Sequence, residues 1–118
     1  MITLETLRET RRKAMYDRND KWAPIHCEIN DLVASMLKHD PAISDKDLHE
    51  SAEIQIEYVS IPLQRIEELA GFFRVNPEAL DAYLAENEAE QVAWEVSQPK
   101  MSLAISREAA LTFLRTRN

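Results

Sequence analysis

The side chains that most often bind metal ions are sparse in this sequence. It contains three histidines and a single cysteine, namely His26, Cys27, His39 and His49. They form neither a CxxC nor an HxxxH pair, and the adjacent His26 and Cys27 would point in different directions on a helix. We therefore expect no metal site and no cofactor.

Residues suited to covalent catalysis or phosphate binding are also few. Sequence spacing places no orienting carboxylate beside Cys27, so a buried, inert thiol is its expected role. Gly71 is the single glycine, whereas phosphate-binding loops of the P-loop and dinucleotide types need several. No pair of carboxylates lies within an apolar run, where burial would raise a pKa. The sequence therefore predicts a protein that is not an enzyme.

The composition is typical of one small domain inside the cell. The 118 residues are 45% hydrophobic and 30% charged, as in globular rather than disordered chains. One cysteine excludes an intramolecular disulfide, and no apolar run reaches the roughly 20 residues of a membrane span. The N-terminus lacks the apolar segment of a signal peptide. We expect a cytoplasmic protein with no membrane partner.

The formal net charge of −7 is distributed unevenly along the chain. Residues 1–21 and the last residues of the chain are rich in arginine and lysine, whereas residues 76–98 contain neither. An acidic segment of this kind either faces solvent or binds a basic partner. Its candidate partner-binding residues are Glu78, Asp81, Glu86, Glu88 and Glu90.

Helical periodicity recurs along the sequence. Residues 3–19 have a thin apolar stripe and predict a surface helix, so residues 1–21 are interpreted as an N-terminal helical arm and 22–118 as one domain. Apolar residues at helical spacing predict further helices over about 24–38, from Ser44 onward, over 62–73 and 77–88, and from Ser106 to about Arg115.

Two segments favour β structure. Residues 53–60 alternate Ile54, Ile56 and Tyr58 with polar neighbours, which favours a short strand, although Leu48, Ala52 and Ile56 fit a helix almost as well. Val92, Trp94 and Val96 alternate more clearly, and the alternation resumes in residues 101–105 after a proline-containing turn. These two runs predict a β-hairpin.

The order of elements over residues 44–105 is that of a winged helix. The segment Ile66-Glu-Glu-Leu69-Ala70-Gly-Phe-Phe73-Arg-Val75-Asn-Pro-Glu-Ala-Leu80 resembles a helix-turn-helix. The runs VSIPLQRIEELAGFFRV and VAWEVSQPKMSLAIS are similar to the winged-helix half of PCI domains, which mediate assembly between proteins. The expected fold is thus α+β and mainly α, a winged-helix-like helical core with a small antiparallel hairpin. The alternative is an all-α helical bundle.

Two functions follow from these observations. The first is a non-enzymatic protein-interaction module, an inhibitor or adaptor, whose acidic helix binds a protein with a basic surface; a homodimer is a further possibility. The alternative is a DNA-binding transcriptional regulator of the helix-turn-helix type, although the negative charge disfavours nucleic acid. Its candidate phosphate contacts are Arg8, Arg11, Arg12, Lys13, Arg65 and Lys100.

Overall fold

Five α-helices follow one another in the computed structural model, which describes residues 1–57 and 59–97. They are α1 (Leu4–Tyr16), α2 (Ala23–His39), α3 (Asp45–Gln55), α4 (Leu63–Val75) and α5 (Pro77–Ser97). In these ranges no helix is both long enough and apolar enough to cross a membrane.

Local signals in the sequence account for where the helices begin. Thr3 and Thr6 form a capping box at the start of α1, in which each threonine hydroxyl accepts from the other's backbone N–H. Ser44 accepts from the Asp47 N–H and caps α3. Asp20 accepts from the backbone N–H groups of two residues at the start of α2. These contacts satisfy amide protons that a helix leaves without internal acceptors.

The chain divides into two units, Met1–Asn87 and Glu88–Asn118. In the first unit α1 packs against α2, α2 against α3 and α4, and α3 against α4. The residues at the centre of its core are fully or almost fully buried, and they include Leu7, Val33, Leu48, Ile66, Leu69, Phe73 and Tyr83. The predicted arm, residues 1–21, therefore contributes Leu7 to the same core as the other helices.

The second unit is described as far as residue 97, where it consists of the last turns of α5. Its residues Val92 and Val96 are exposed.

The predicted α+β fold with a winged-helix hairpin is wrong for the described residues, which contain helices and no strand and fit the all-α alternative. Residues 92–97, predicted as the first strand of the hairpin, continue α5 to Ser97. The segment before them is rich in alanine and glutamate, and extending an existing helix is far easier than starting one. Three alternating apolar residues were too weak a signal against that tendency.

The strand predicted over residues 53–60 is also wrong at its start, because residues 53–55 belong to α3. The helical alternative considered for this segment explains the result. Leu48, Ala52 and Ile56, four residues apart, are all buried in the core. The second strand of the hairpin and the helix predicted from Ser106 to Arg115 lie outside the described residues.

Candidate interaction surface at the start of α5

The first three turns of α5 are fixed to the core by one face. Asn76 precedes the helix, and its carbonyl oxygen accepts from the N–H groups of Ala79 and Leu80. Leu80 and Tyr83 are buried. Because three residues advance a helix by almost one turn, Glu78 and Asp81 lie together on the exposed side.

Asp81 forms an ion pair across the surface to α2. Its carboxylate accepts a hydrogen bond from Lys38 Nζ at 2.7 Å. Both side chains remain about 60% exposed. Pairs of this kind contribute little to stability, so Asp81 still presents a carboxylate to solvent, although one already accompanied by a cation.

Glu86 is engaged more firmly, by Arg8 of α1. Arg8 donates from Nε to one carboxylate oxygen at 2.9 Å and from a terminal nitrogen to the other at 2.6 Å. These hydrogen bonds lower the pKa of the Glu86 carboxyl. A bidentate contact fixes the orientation of both groups, so Glu86 joins α5 to α1.

Glu78 differs from Asp81 and Glu86. It is exposed in the first turn of α5, and no ion pair or hydrogen bond to its carboxylate occurs within the described residues. The first turn is where a helix favours negative charge. The other two sequence candidates, Glu88 and Glu90, belong to the second unit, in which Glu88 is exposed and Glu90 is half-buried.

Open, largely apolar pockets lie on both sides of these carboxylates. The first, of about 350 Å³, has Asp81 at its edge and is otherwise formed by Leu37, Lys38, Pro41, Phe73, Arg74, Pro77 and Leu80. The second, of about 520 Å³, includes Glu78 and is otherwise formed by Leu4, Val75, Asn76, Pro77, Ala79 and Ala82. The surface therefore combines apolar depressions with carboxylates beside them.

A polar cluster of Arg11, Tyr83 and Asp31, the first two of them buried, connects α5 to α1 and α2. Arg11 of α1 donates to the Tyr83 carbonyl oxygen at 3.0 Å, and its guanidinium lies over the Tyr83 ring. The Tyr83 hydroxyl donates to Asp31 of α2. Burial is the main reason why the pKa values of Asp31 and Tyr83 are both raised. The cluster links three helices and fixes the orientation of α5.

Two of the cations proposed for DNA contact, Arg8 and Arg11, are held within the protein, and the other three that are described are not. Arg11 is 1% exposed, and Arg8 is bound to Glu86 as described above. Arg12 pairs with Glu5 and Lys13 with Glu9, whereas Arg65 donates weakly to Asn30 Oδ1 at 3.4 Å. Lys100 lies outside the described residues. The five that are described do not form one exposed basic surface, because Arg11 is buried and Arg8 is bound to Glu86.

Sequence reasoning missed the role of Asp31. The Cys27 thiol donates to Asp31 at 3.8 Å, across one turn of α2, so the carboxylate thought to be absent beside Cys27 is four residues away. The i, i+4 spacing could have revealed it. Nothing in the local sequence could have revealed that Arg11 is buried against Tyr83, which lies 72 residues away. Among the described residues, no three His, Cys, Asp or Glu side chains are grouped as a metal site would require.

No protein-family model matches the chain, and no curated protein or solved structure is significantly similar to it.

Proposed function

We propose that this protein is a non-enzymatic interaction module of the cytoplasm that binds a partner protein with a basic surface through the start of α5. The observation that carries the proposal is Glu78, an exposed carboxylate without an ion pair in the described residues, beside an apolar pocket. An inhibitor or adaptor role is consistent with such a surface.

The surroundings of Glu78 have the composition of a protein-binding surface. Protein interfaces combine an apolar centre, which supplies affinity, with polar groups at the rim that fix orientation. The apolar pockets beside Glu78 and Asp81 provide the first component, and the two carboxylates provide the second. Because the buried Arg11–Tyr83 contact already orders α5, binding would not require the helix to form.

The three carboxylates of the first unit would contribute unequally. A lysine or arginine of the partner can approach Glu78 without displacing another cation. At Asp81 it must compete with Lys38, and at Glu86 with the bidentate Arg8 contact. We therefore assign Glu78 the main electrostatic contribution, with Asp81 as a secondary contact.

Affinity capture from the native host tests the proposal. The immobilised wild-type chain, its Glu78→Lys variant and a Glu50→Lys variant are each incubated with lysate, and the retained proteins are identified by mass spectrometry. Glu50 is an exposed glutamate of α3 and serves as the matched control. We expect one or more proteins with basic surfaces to be retained by wild type and Glu50→Lys and lost with Glu78→Lys. Equal retention by all three would refute the proposed surface.

Reversing all three carboxylates together would be a poorer test. Asp81→Lys would face Lys38, and Glu86→Lys would face Arg8, so both changes would replace an ion pair with repulsion. Loss of binding could then result from damage to the fold. The single change at Glu78 avoids this ambiguity.

A further inference from the structure

A long depression separates α1 from α4 and continues to the start of α5. Its main part is an open pocket of about 670 Å³ formed by Met1, Ile2, Thr6, Thr10, Arg65, Glu68, Gly71, Phe72, Val75 and Asn76. It shares Val75 and Asn76 with the 520 Å³ pocket beside Glu78. We call these two pockets together the α1–α4 groove. Residues 4–10 of α1 and 65–75 of α4 give its walls lengths of about 9 and 15 Å, or roughly two and three helical turns.

Gly71 opens the middle of this groove. Glycine weakens a helix interior because it adds backbone freedom, so a glycine there needs a reason. Neighbouring residues do not supply one, since a Cβ at position 71 would meet nothing within 4 Å. The absence of a side chain instead leaves the α4 backbone accessible from the groove, where another backbone could approach closely.

The exposed apolar surface of the groove is centred on Val75. This side chain is 80% exposed at the last position of α4. Phe72, three residues or almost one turn earlier in the same groove, is half-buried. Thr6 and Thr10 donate their hydroxyl protons to carbonyl groups of the preceding turn, so these donors are already used.

The charges beside the groove indicate which kind of partner it would bind. Glu68 and Glu78 are exposed, and neither has an ion pair within the described residues. Arg74 is engaged by Asp45 and the Ile43 carbonyl oxygen. Arg65, which lines the groove, makes only the weak 3.4 Å contact to Asn30 Oδ1. A second copy of the chain would bring a further net charge of −7, which makes it a less favourable occupant than a basic partner. A basic partner would neutralise Glu68 and Glu78.

We infer that the α1–α4 groove binds one amphipathic helix of a partner protein, with an apolar stripe that contacts Val75 and Phe72 and lysine or arginine residues that flank the stripe. The close approach occurs at Gly71, and the flanking cations pair with Glu68 and Glu78. Helices that lay an apolar face into a groove are a common mode of peptide recognition. The inference rests on the proposed function and specifies the structure of the partner segment.

A synthetic peptide provides a defined probe. An 18-residue helical peptide with a leucine–alanine stripe flanked by lysines is labelled with fluorescein, and its binding is followed by fluorescence anisotropy. A second peptide has the same stripe flanked by glutamates. Gly71→Leu fills the groove, whereas Ser35→Leu adds the same side chain at an exposed position of α2 and serves as its control.

We expect the lysine-flanked peptide to bind wild type and Ser35→Leu with dissociation constants within twofold of each other, and Gly71→Leu at least tenfold more weakly. The glutamate-flanked peptide should bind each of the three proteins at least tenfold more weakly than the lysine-flanked peptide binds wild type. Absence of binding by wild type, equal binding by Gly71→Leu, or equal binding of both peptides would overturn the inference. So would a dimer in sedimentation velocity that Gly71→Leu dissociates, because the second copy would then be the occupant.

Failure of this inference can be distinguished from failure of the proposed function. If the partner captured from lysate is retained by Gly71→Leu but lost with Glu78→Lys, the α5 surface is correct and the groove is not. If Glu78→Lys retains the partner, the proposed function itself is wrong.

Discussion

Arg11 of α1 and Tyr83 of α5 form the central contact of the first unit. The guanidinium carbon of Arg11 lies 4.4 Å from the centroid of the Tyr83 ring, and a terminal nitrogen of the same side chain donates to the Tyr83 carbonyl oxygen. Both side chains are almost completely buried. A basic residue expected at the surface of an arm thus holds the helix that carries the proposed binding surface.

Truncation of Arg11 should therefore lower the free energy of unfolding substantially. Arg11→Ala removes the cation–π contact and the hydrogen bond, and it removes a positive charge near the half-buried Asp31 carboxylate. We expect a loss of about 3 kcal/mol in the free energy of unfolding, measured by urea denaturation. Arg12→Ala, at an exposed position of the same helix, should have little effect. A loss for Arg11→Ala as small as that expected for Arg12→Ala would show that the Arg11 contact does not stabilise the fold.

The pH dependence of stability should reveal the half-buried Asp31. Burial raises the pKa of this carboxyl in the folded protein. A raised pKa means that folding favours the protonated form, so the contribution of Asp31 is greatest below its unfolded-state pKa and is lost as pH rises through the folded-state pKa. The wild-type free energy of unfolding minus that of Asp31→Asn should therefore fall from pH 3.5 to pH 7.

Subtracting the free energy of unfolding of Asp31→Asn separates the contribution of Asp31 from the contributions of groups whose pKa is lowered in the folded protein. The pKa of Glu86 is lowered by Arg8, so its contribution is lost as pH falls, but it is present in both proteins and cancels. A difference that rises with pH would mean that the Asp31 carboxylate is better stabilised in the folded protein than in the unfolded chain.

Gly71→Ala should make the protein more stable. The added Cβ meets no atom within 4 Å, and alanine has the higher helix propensity, so we expect a gain of about 0.5–1 kcal/mol in the free energy of unfolding. Ala85→Gly, at an exposed position of α5, should produce a loss of similar size. Destabilisation by Gly71→Ala would indicate that the position is already closely packed.

DNA should bind weakly or not at all. Arg11 is buried and Arg8 is bound by both oxygens of Glu86. Arg12 and Lys13 remain exposed, but each lies beside a glutamate that opposes its attraction to phosphates. A mobility-shift assay at low salt should show no retarded complex, with circular dichroism as the check that the protein is folded. A complex whose affinity falls steeply with salt would instead support the DNA-binding alternative.

The helices were predictable where a single face is apolar over several turns. The prediction for residues 24–38 differs from α2 by one residue at each end, because Ile29, Val33 and Leu37 repeat at intervals that only a helix places on one side. The end of α5 was not predictable in this way. Residues 92–96 fit a strand through the alternation of Val92, Trp94 and Val96, and a helix through Val92 and Val96 four residues apart. The local residue types favour the helix that is observed.

The candidate site was only partly predictable. Charge patterning identified Glu78, Asp81 and Glu86 as carboxylates on one helix, but it could not show that Lys38 and Arg8 bind two of them. Those cations lie 43 and 78 residues away in the sequence. Pairing over such separations depends on how the helices pack, which local periodicity does not encode.

The most direct test of the proposed function is the affinity of the captured partner for purified variants. The partner's dissociation constant is measured by isothermal titration calorimetry for wild type, Glu78→Lys and Glu50→Lys. We expect Glu78→Lys to weaken binding at least tenfold, equivalent to about 1.4 kcal/mol. Glu50→Lys should leave the dissociation constant within twofold of the wild-type value. A dissociation constant for Glu78→Lys within twofold of wild type would contradict the proposed function.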